Sequence, residues 1–110
     1  MQASFEHPDK IDLITFDPAS GEYALIISTM GTWDDSVEEQ ALLLQKINNY
    51  LNFVIDGELW RHYPQAKGRA TRIQIDSAAT IPPNIDQLIT QAQKLLLHHG
   101  IRLCTNLLHQ

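Results

Sequence analysis

The sequence has little cysteine, no long apolar run and no basic leader. Its 110 residues include one cysteine, Cys104, so no disulfide can form within the chain. A lone thiol is typical of a reducing compartment, and we expect a cytoplasmic protein, with an intermolecular bridge as the open alternative. No apolar stretch reaches the ~18 residues of a membrane-spanning helix, and MQASFEHPDK does not have the pattern of an export signal. We therefore expect no membrane partner.

Positive charge is also scarce, with eight Lys and Arg against thirteen Asp and Glu and a net charge of -5. Because affinity for nucleic acid depends on a positive surface, we expect no nucleic-acid partner. The charges are nevertheless clustered. Four acids lie within residues 34–39, and four bases lie in the acid-free stretch RHYPQAKGRATR at residues 61–72. Solvated faces are the simplest interpretation of both clusters, and a basic patch for an anionic ligand is the alternative.

The composition is that of one globular domain, with 44% hydrophobic and 19% charged residues. A chain of this size buries roughly two thirds of its unfolded surface when it folds, which is enough for one core. No repeat, low-complexity segment or linker divides the sequence. We predict a short mobile head at residues 1–8 and a single α+β domain over residues 9–110.

Hydrophobic periodicity predicts six main elements in the order β-β-α-β-α-β. The first two strands flank DPASG, where Pro18 fits the second position of a type I turn and Gly21 fits the positive φ of a bulge. The predicted bounds are strands at about 10–16, 22–29, 70–76 and 101–107, and helices at about 36–56 and 85–99. This order predicts a two-layer α+β sandwich, with a four-stranded mixed sheet and both main helices on one face. It does not determine the order of the strands.

The densest group of potential catalytic side chains, GTWDDSVEEQ at residues 31–40, coincides with the start of the first helix. Asp35 and Glu38, and also Ser36 and Glu39, have the three-residue spacing of a capping box. Negative charge in the first turn also complements the helix dipole. Helix initiation therefore accounts for this cluster. Its spacing matches no calcium-binding loop, and we predict no metal site and no cofactor.

The first helix is predicted to bury one apolar stripe, which its neighbours in the fold would cover. At 100° per residue the stripe contains Val37, Leu44, Ile47, Leu51, Val54 and Ile55, with Leu43 and Tyr50 at its edge. Leu42 and Phe53 project to the opposite side. A second layer covers them there, or they form a small apolar contact patch.

The hairpin formed by the first two strands is apolar on both sides. We interpret Ile14, Phe16 and Ile26 as pointing away from the face that contains Leu25 and Ile27. An uncovered apolar sheet face favours self-association. The predicted interface consists of Ile14, Phe16, Ile26, Leu42 and Phe53. The predicted partner is a second copy of the chain, with an unidentified protein as the alternative.

Several short motifs stand out along the chain: IDLI followed by DP and GE, then WDD, then LQKINNYL with DG and YPQAKG downstream. The motifs lie within residues 11–68, and the resemblance that they support extends over residues 9 to about 105. In this combination the chain resembles a family of small bacterial proteins catalogued as a domain of unknown function. The resemblance implies the same order of strands and helices. It implies no activity, ligand or catalytic residue.

These observations favour a non-enzymatic protein-interaction domain that acts as a homo-oligomer, because surplus apolar surface occurs without a catalytic constellation. The alternative is an enzyme or a small-molecule-binding domain. Its site would combine two segments, with Trp33, Asp34 and Asp35 in the first and Tyr63, Arg69 and Arg72 in the second. A third alternative, an acidic inhibitor or immunity-type protein, depends on net charge alone. No residue is predicted to be catalytic.

Overall fold

A computed structural model describes residues 11–29 and 31–108, so the predicted head at residues 1–8 lies outside the described residues. The strands are β1 (Leu13–Asp17), β2 (Glu22–Thr29), β3 (Thr71–Ser77) and β4 (Ile101–Leu107). The helices are α1 (Val37–Ile55), the short α2 (Glu58–His62) and α3 (Pro83–Leu97), and a 3-10 turn spans Pro64–Ala66. The predicted order β-β-α-β-α-β is confirmed, with α2 inserted before β3.

The four strands form one mixed sheet in the order β1-β2-β3-β4. β1 and β2 are antiparallel, whereas β2, β3 and β4 run parallel to one another. The turn between β1 and β2 has the predicted chemistry: Asp17 Oδ1 accepts from the Ala19 amide at 3.0 Å, and Gly21 has φ +74°. Both helical connections step to the next strand in the same direction, so right-handed crossovers place α1 and α3 on one face of the sheet.

The core lies between this covered face of the sheet and the two long helices. Alternate residues of the three parallel strands point into it, because successive side chains of a strand face opposite sides. The strands contribute Tyr23, Leu25, Ile27, Ile73, Ile75, Ile101 and Leu103, and the helices contribute Leu43, Ile47, Tyr50, Ile85, Ile89, Ala92 and Leu96. The predicted two-layer architecture is therefore confirmed.

The start of α1 uses the predicted capping chemistry with one change. Ser36 is the N-cap, and its hydroxyl accepts from the Glu39 amide at 3.0 Å. The Glu39 carboxylate reaches back to the amide of Asp35 at 2.9 Å, one residue before the cap. Asp35 has φ +58°, and Asp34 Oδ1 accepts from the Ser36 amide at 2.8 Å. The acids of this segment thus satisfy backbone donors that the first helical turn leaves without partners.

The buried face of α1 differs from the predicted stripe. Val37, Leu44 and Ile55 were expected in the core but are 80%, 41% and 49% exposed. Glu39 and Lys46 are buried instead, beside Leu43, Ile47, Tyr50 and Leu51. The two charged side chains find partners inside the fold. The buried side of the helix is therefore rotated about its axis by about 80° from the side that apolar periodicity favours, which is a little less than the 100° between successive residues.

The interpretation of the hairpin faces is wrong for Ile14 and Phe16. The register places Ile14 opposite Leu25, Phe16 opposite Tyr23 and Leu13 opposite Ile26. Residues directly opposite each other in an antiparallel pair share a face, so Ile14 and Phe16 lie on the covered side. Ile26 lies on the other side. The turn pairs Asp17 with Glu22, and a register set by the turn decides which face every side chain takes.

Candidate functional site

The face of the sheet opposite α1 and α3, here called the open face, contains a network of polar side chains that the sequence analysis did not predict. Its members come from all four strands and stand in neighbouring register positions. They are Asp17, Glu22, Arg72, Gln74, Asp76, Arg102, Cys104 and Asn106.

Arg72 is the centre of this network at the amino ends of the parallel strands. Its Nη1 lies 2.9 Å from Asp17 Oδ2 and 3.0 Å from Glu22 Oε1. Arg102 reaches the same Glu22 Oε1 at 2.6 Å. Two arginines therefore hold two carboxylates, and the four side chains tie all four strands together.

Towards the carboxyl ends of the strands, the network continues as a chain of hydrogen bonds through amide and carboxylate side chains. Arg72 Nε donates to Gln74 Oε1 at 3.0 Å, and Gln74 Nε2 donates to Asp76 Oδ1 at 2.7 Å. Asn106 Nδ2 also lies 3.3 Å from Asp76 Oδ1. These bonds run across and along the strands, so the polar groups of the open face satisfy one another.

The electrostatics of the network favour stabilisation over proton transfer. The hydrogen bond from Arg102, together with that from Arg72, lowers the pKa of Glu22 to about 2. The hydrogen bond from Arg72 also lowers the pKa of Asp17. Burial raises the pKa of the Cys104 thiol, which therefore remains protonated at neutral pH. A general acid or base needs a pKa near the working pH, and a nucleophilic cysteine needs a thiolate, so these groups do not fit either role.

The two segments of the predicted ligand site lie at opposite ends of the sheet. Trp33 is buried, and its indole donates to Ser77 Oγ at 3.0 Å, at the carboxyl end of β3. Arg72 lies at the amino end of the same strand, and it points to the open face. Five residues of strand separate Ser77 from Arg72, or about 16 Å. The structure therefore does not bring the acids and the arginines together as one site.

Each segment of that predicted site has a structural role instead. Asp35 Oδ2 accepts from Asn84 Nδ2 at 3.1 Å, which joins the start of α1 to the start of α3. The backbone amide of Ser36 lowers the pKa of Asp34. At the other end of the sheet, the guanidinium carbon of Arg69 lies 5.2 Å from the centre of the Phe16 ring. Tyr63 packs beside Tyr23, which in turn contacts Phe16.

A second polar group, also missed from the sequence, surrounds the buried Lys46. This side chain is 2% exposed, and its Nζ lies 2.9 Å from Asp12 Oδ1. Asp12 Oδ2 accepts from the Ser28 amide at 3.2 Å, and the Asp12 amide donates to the Tyr50 hydroxyl at 2.8 Å. That hydroxyl donates to Ile26 O at 2.9 Å, and burial raises the pKa of Tyr50. The group fastens the chain just before β1 to α1 and β2. Apolar periodicity does not indicate this group, because it places Lys46 on the side of α1 away from the predicted stripe.

The residues of the predicted interface do not form one surface. Ile14 packs against the core, and Ile26 is buried on the open face. Phe53 is half-buried, with its ring stacked on His62 at a centroid distance of 6.1 Å. Leu42 is exposed on the same side of α1 as Phe53, but α2 covers Phe53. Of the two alternatives for this pair, a covering second layer is therefore observed for Phe53.

Exposed and mostly apolar side chains of α1 instead form an interrupted row along one side of the helix. Its members are Val37, Ala41, Leu44, Asn48 and Ile55, all exposed, and we call this row the outer stripe of α1. Their positions fall within about 60° of one another around the helix axis. Leu51 continues the spacing between Asn48 and Ile55 but is buried in the core at the inner margin of the row.

In residues 11–29 and 31–108, no group of three or more His, Cys, Asp or Glu side chains is placed to hold a metal ion. Nor does any helix in that part of the chain have the length and apolar character needed to cross a membrane.

The fold and its surfaces define a class of protein, a two-layer α+β domain. The polar side chains on the open face of its sheet bond to one another, and mostly apolar side chains lie along the outside of its first helix. The chain belongs to a family of unknown function, DUF6572, whose model matches residues 3–109. The resemblance to an uncharacterised family is thus confirmed over almost the whole chain. No curated protein and no solved structure shows a significant match to this sequence.

Proposed function

We propose that this protein is a non-enzymatic interaction domain that acts as a homodimer through the outer stripe of α1. The observation that supports the proposal is the exposure of Val37, Leu44 and Ile55 on one side of a 19-residue helix. The sequence analysis assigned these same residues to the core. The structure leaves them exposed, so their apolar side chains are available for contact with another molecule.

The outer stripe differs from the scattered apolar residues of an ordinary surface. Single exposed leucines are common and need no explanation. Here Val37, Ala41 and Leu44 share one side of the first turns of α1, and Ile55 lies on the same side at the last residue, about 27 Å from Val37. The stripe contains no charged residue, and Asn48 is its single strongly polar member. Apolar residues grouped on one side of a helix favour contact with another protein.

Other surfaces of the described residues are less suited to self-association. On the open face, arginines, carboxylates and amides already bond to one another, so a partner would have to replace existing bonds. The outer edge of β4 is partly blocked, because Gln93 Nε2 donates to Leu103 O at 3.0 Å. A covered edge discourages pairing with a strand from another molecule. Burial in a contact would therefore stabilise the outer stripe more than it would the open face or the edge of β4.

The proposal includes a cytoplasmic location for the protein. The single thiol of Cys104 would remain reduced there. There, the assembly would depend on apolar burial and not on a covalent bridge.

Sedimentation velocity over a wide range of protein concentration tests the proposal. The wild-type chain is expected to sediment as a dimer at high concentration and as a monomer on dilution. The double variant Leu44→Ser, Ile55→Ser should remain monomeric at every concentration, with an unchanged circular dichroism spectrum.

The matched control is the double variant Leu13→Ser, Leu97→Ser, which removes two other exposed leucines, outside α1. It should dimerise as the wild type does. A wild type that stays monomeric throughout, or a Leu44→Ser, Ile55→Ser variant that still dimerises, would contradict the proposal.

A further inference from the structure

We propose that the carboxylates of Asp34 and Glu39, at the start of α1, together bind one calcium ion. This inference goes beyond the proposed function and does not depend on the outer stripe. It also departs from the sequence prediction of no metal site, because it follows from burial and contacts that the spacing of the acids does not reveal.

The central observation is the second carboxylate oxygen of Glu39, a side chain that is only 4% exposed. Its Oε1 accepts from the Asp35 amide at 2.9 Å, whereas its buried Oε2 has no hydrogen-bond donor among the described residues. Helix capping therefore explains one oxygen of this carboxylate and leaves the other unexplained. A buried charged oxygen without a partner is costly, so it indicates that a positively charged group binds there.

The carboxylate of Asp34 adds a second negative charge at the same point. It lies within hydrogen-bonding reach of the Glu39 carboxylate, yet two ionised carboxylates have no proton to share. Two like charges in such contact repel each other unless a proton or a metal ion lies between them. Asp34 is exposed, so the pair is open to solvent on its side, whereas Glu39 is enclosed by the fold.

The surroundings supply little positive charge to balance this pair. Asp34, Asp35, Glu38 and Glu39 form no salt bridge within residues 11–29 and 31–108. The dipole of α1 provides about half a positive charge at this end, well below the charge of the four acids. A proton would cancel one of these charges, whereas a divalent cation cancels two. Charge therefore favours a divalent cation over a shared proton.

The chemistry of the neighbouring side chains selects the kind of cation. Asp35 is bonded to two amides, since Gln40 Nε2 lies 3.5 Å from its Oδ1 and Asn84 Nδ2 lies 3.1 Å from its Oδ2. No cysteine or histidine occurs in residues 31–40. Oxygen ligands without sulfur or imidazole favour hard cations such as Ca²⁺ and Mg²⁺ over zinc and copper.

Calcium fits this position better than magnesium. The two carboxylates are fewer than the three side chains of a metal centre built from His, Cys, Asp or Glu alone, so other oxygens must complete the shell. Ca²⁺ accepts about six to eight oxygens, including carbonyls and waters, in a flexible arrangement. Mg²⁺ requires nearly ideal octahedral geometry and retains several waters, which a buried carboxylate such as that of Glu39 admits less readily. With few carboxylates the site should be weak, with a Kd of about 10⁻⁴–10⁻³ M.

Thermal unfolding of the chelator-treated protein, followed by circular dichroism at increasing CaCl₂ concentration, tests the site. The midpoint of the wild type should rise by about 5 °C at about ten times Kd, because binding to the folded state alone multiplies the ratio of folded to unfolded protein about elevenfold. MgCl₂ at the same concentration should give a smaller rise. KCl at the same ionic strength measures the effect of screening and should give a much smaller rise.

The variant Glu39→Gln separates the site from general charge effects. Its amide oxygen can still accept from the Asp35 amide, and its NH₂ group can donate to Asp34. The variant should therefore unfold at or above the wild-type midpoint without calcium and should not respond to calcium. The matched control is Glu38→Gln, which removes the same charge from an exposed neighbour and should retain the wild-type response.

Calcium titration by isothermal calorimetry gives a second readout. One binding site is expected for the wild type and for Glu38→Gln, and none for Glu39→Gln. If Glu39→Gln fails to fold, Asp34→Asn takes its place, since an amide oxygen at this exposed position can still accept from the Ser36 amide. It should likewise lose calcium binding.

Several results would overturn the site. The first is a wild type without calorimetric binding and without a calcium shift beyond that of KCl. An equal calcium response in Glu39→Gln and wild type would mean that calcium acts by screening alone. A Glu39→Gln variant more stable than a wild type that ignores calcium would assign a shared proton in place of the cation. A larger rise with MgCl₂ than with CaCl₂ would overturn the choice of calcium. The homodimer is tested separately, by sedimentation.

Discussion

The two faces of the sheet are stabilised by different interactions, and β3 contributes side chains to both faces. Ile73 and Ile75 point to the covered face and are fully buried under the helices. Arg72, Gln74 and Asp76 alternate with them and bond to neighbours on the open face. The covered face depends on apolar burial, which varies little with pH. The open face depends on charged and polar pairs, whose strength varies with pH and salt.

This contrast shows that an uncovered face need not be an interface. The open face satisfies its own polar groups, whereas the outer stripe of α1 leaves apolar groups in water. The contact surface that we propose accordingly lies on α1 and not on the sheet.

The largest effect should come from the covered face. Ile73→Ala removes a fully buried side chain and is expected to lower the free energy of unfolding by about 2–5 kcal/mol, because it leaves a cavity in the core. Urea denaturation at neutral pH measures this loss. The matched control is Gln74→Ala, one residue along β3 on the open face, with an expected loss of about 1 kcal/mol. Equal losses for the two variants would remove the distinction between the faces.

A smaller effect is expected for Arg72→Met, which removes the centre of the polar network. The variant loses the bonds to Asp17 and Glu22 but retains the pair between Glu22 and Arg102. We expect a loss of about 1–2 kcal/mol at low salt, since partly exposed ion pairs contribute modestly. Urea denaturation at low and high salt measures it, with a smaller difference from wild type at high salt. A variant as stable as the wild type in both conditions would show that the network does not stabilise the sheet.

The smallest effect concerns acid pH. The pKa of Glu22 is lowered from its ordinary 4.5 to about 2, so the unfolded chain binds a proton at this group before the folded chain does. The stabilisation is therefore complete above pH 4.5 and is lost as the pH falls towards 2. We expect this group to account for a loss of about 1 kcal/mol after screening by solvent.

Glu22→Gln should remove this part of the pH dependence. Thermal or urea unfolding of both proteins at intervals between pH 5 and pH 2 gives the difference in stability. That difference should shrink steadily as the pH falls. A constant difference over this range would mean that Arg102 and Arg72 do not hold the Glu22 carboxylate in its charged form.

Most of the fold could be predicted from local signals. The hairpin turn of DPASG and the capping box of Ser36 and Glu39, one of the two that the spacing offered, each depend on a few neighbouring residues, and both are present in the structure. The candidate site was harder. Arg72, Asp17 and Arg102 are far apart in the chain, and no local pattern indicates that they meet. The register of the hairpin was likewise missed for Ile14 and Phe16, because alternation defines two faces within each strand without saying which face of β1 matches which face of β2.

The amino-acid sequence by itself determined the class of the fold, the order of its main elements and, to within a few residues, where most of them begin and end. These properties depend on periodicity, turn chemistry and capping, which act over a few residues. The tertiary structure alone decided which side of α1 is buried. Apolar periodicity favoured the side with Val37, Leu44 and Ile55, but Lys46 and Glu39 find partners inside the fold, and their burial turns those apolar residues outward. The difference arises because a charged side chain can be buried once a partner is in place, and that partner comes from another part of the chain.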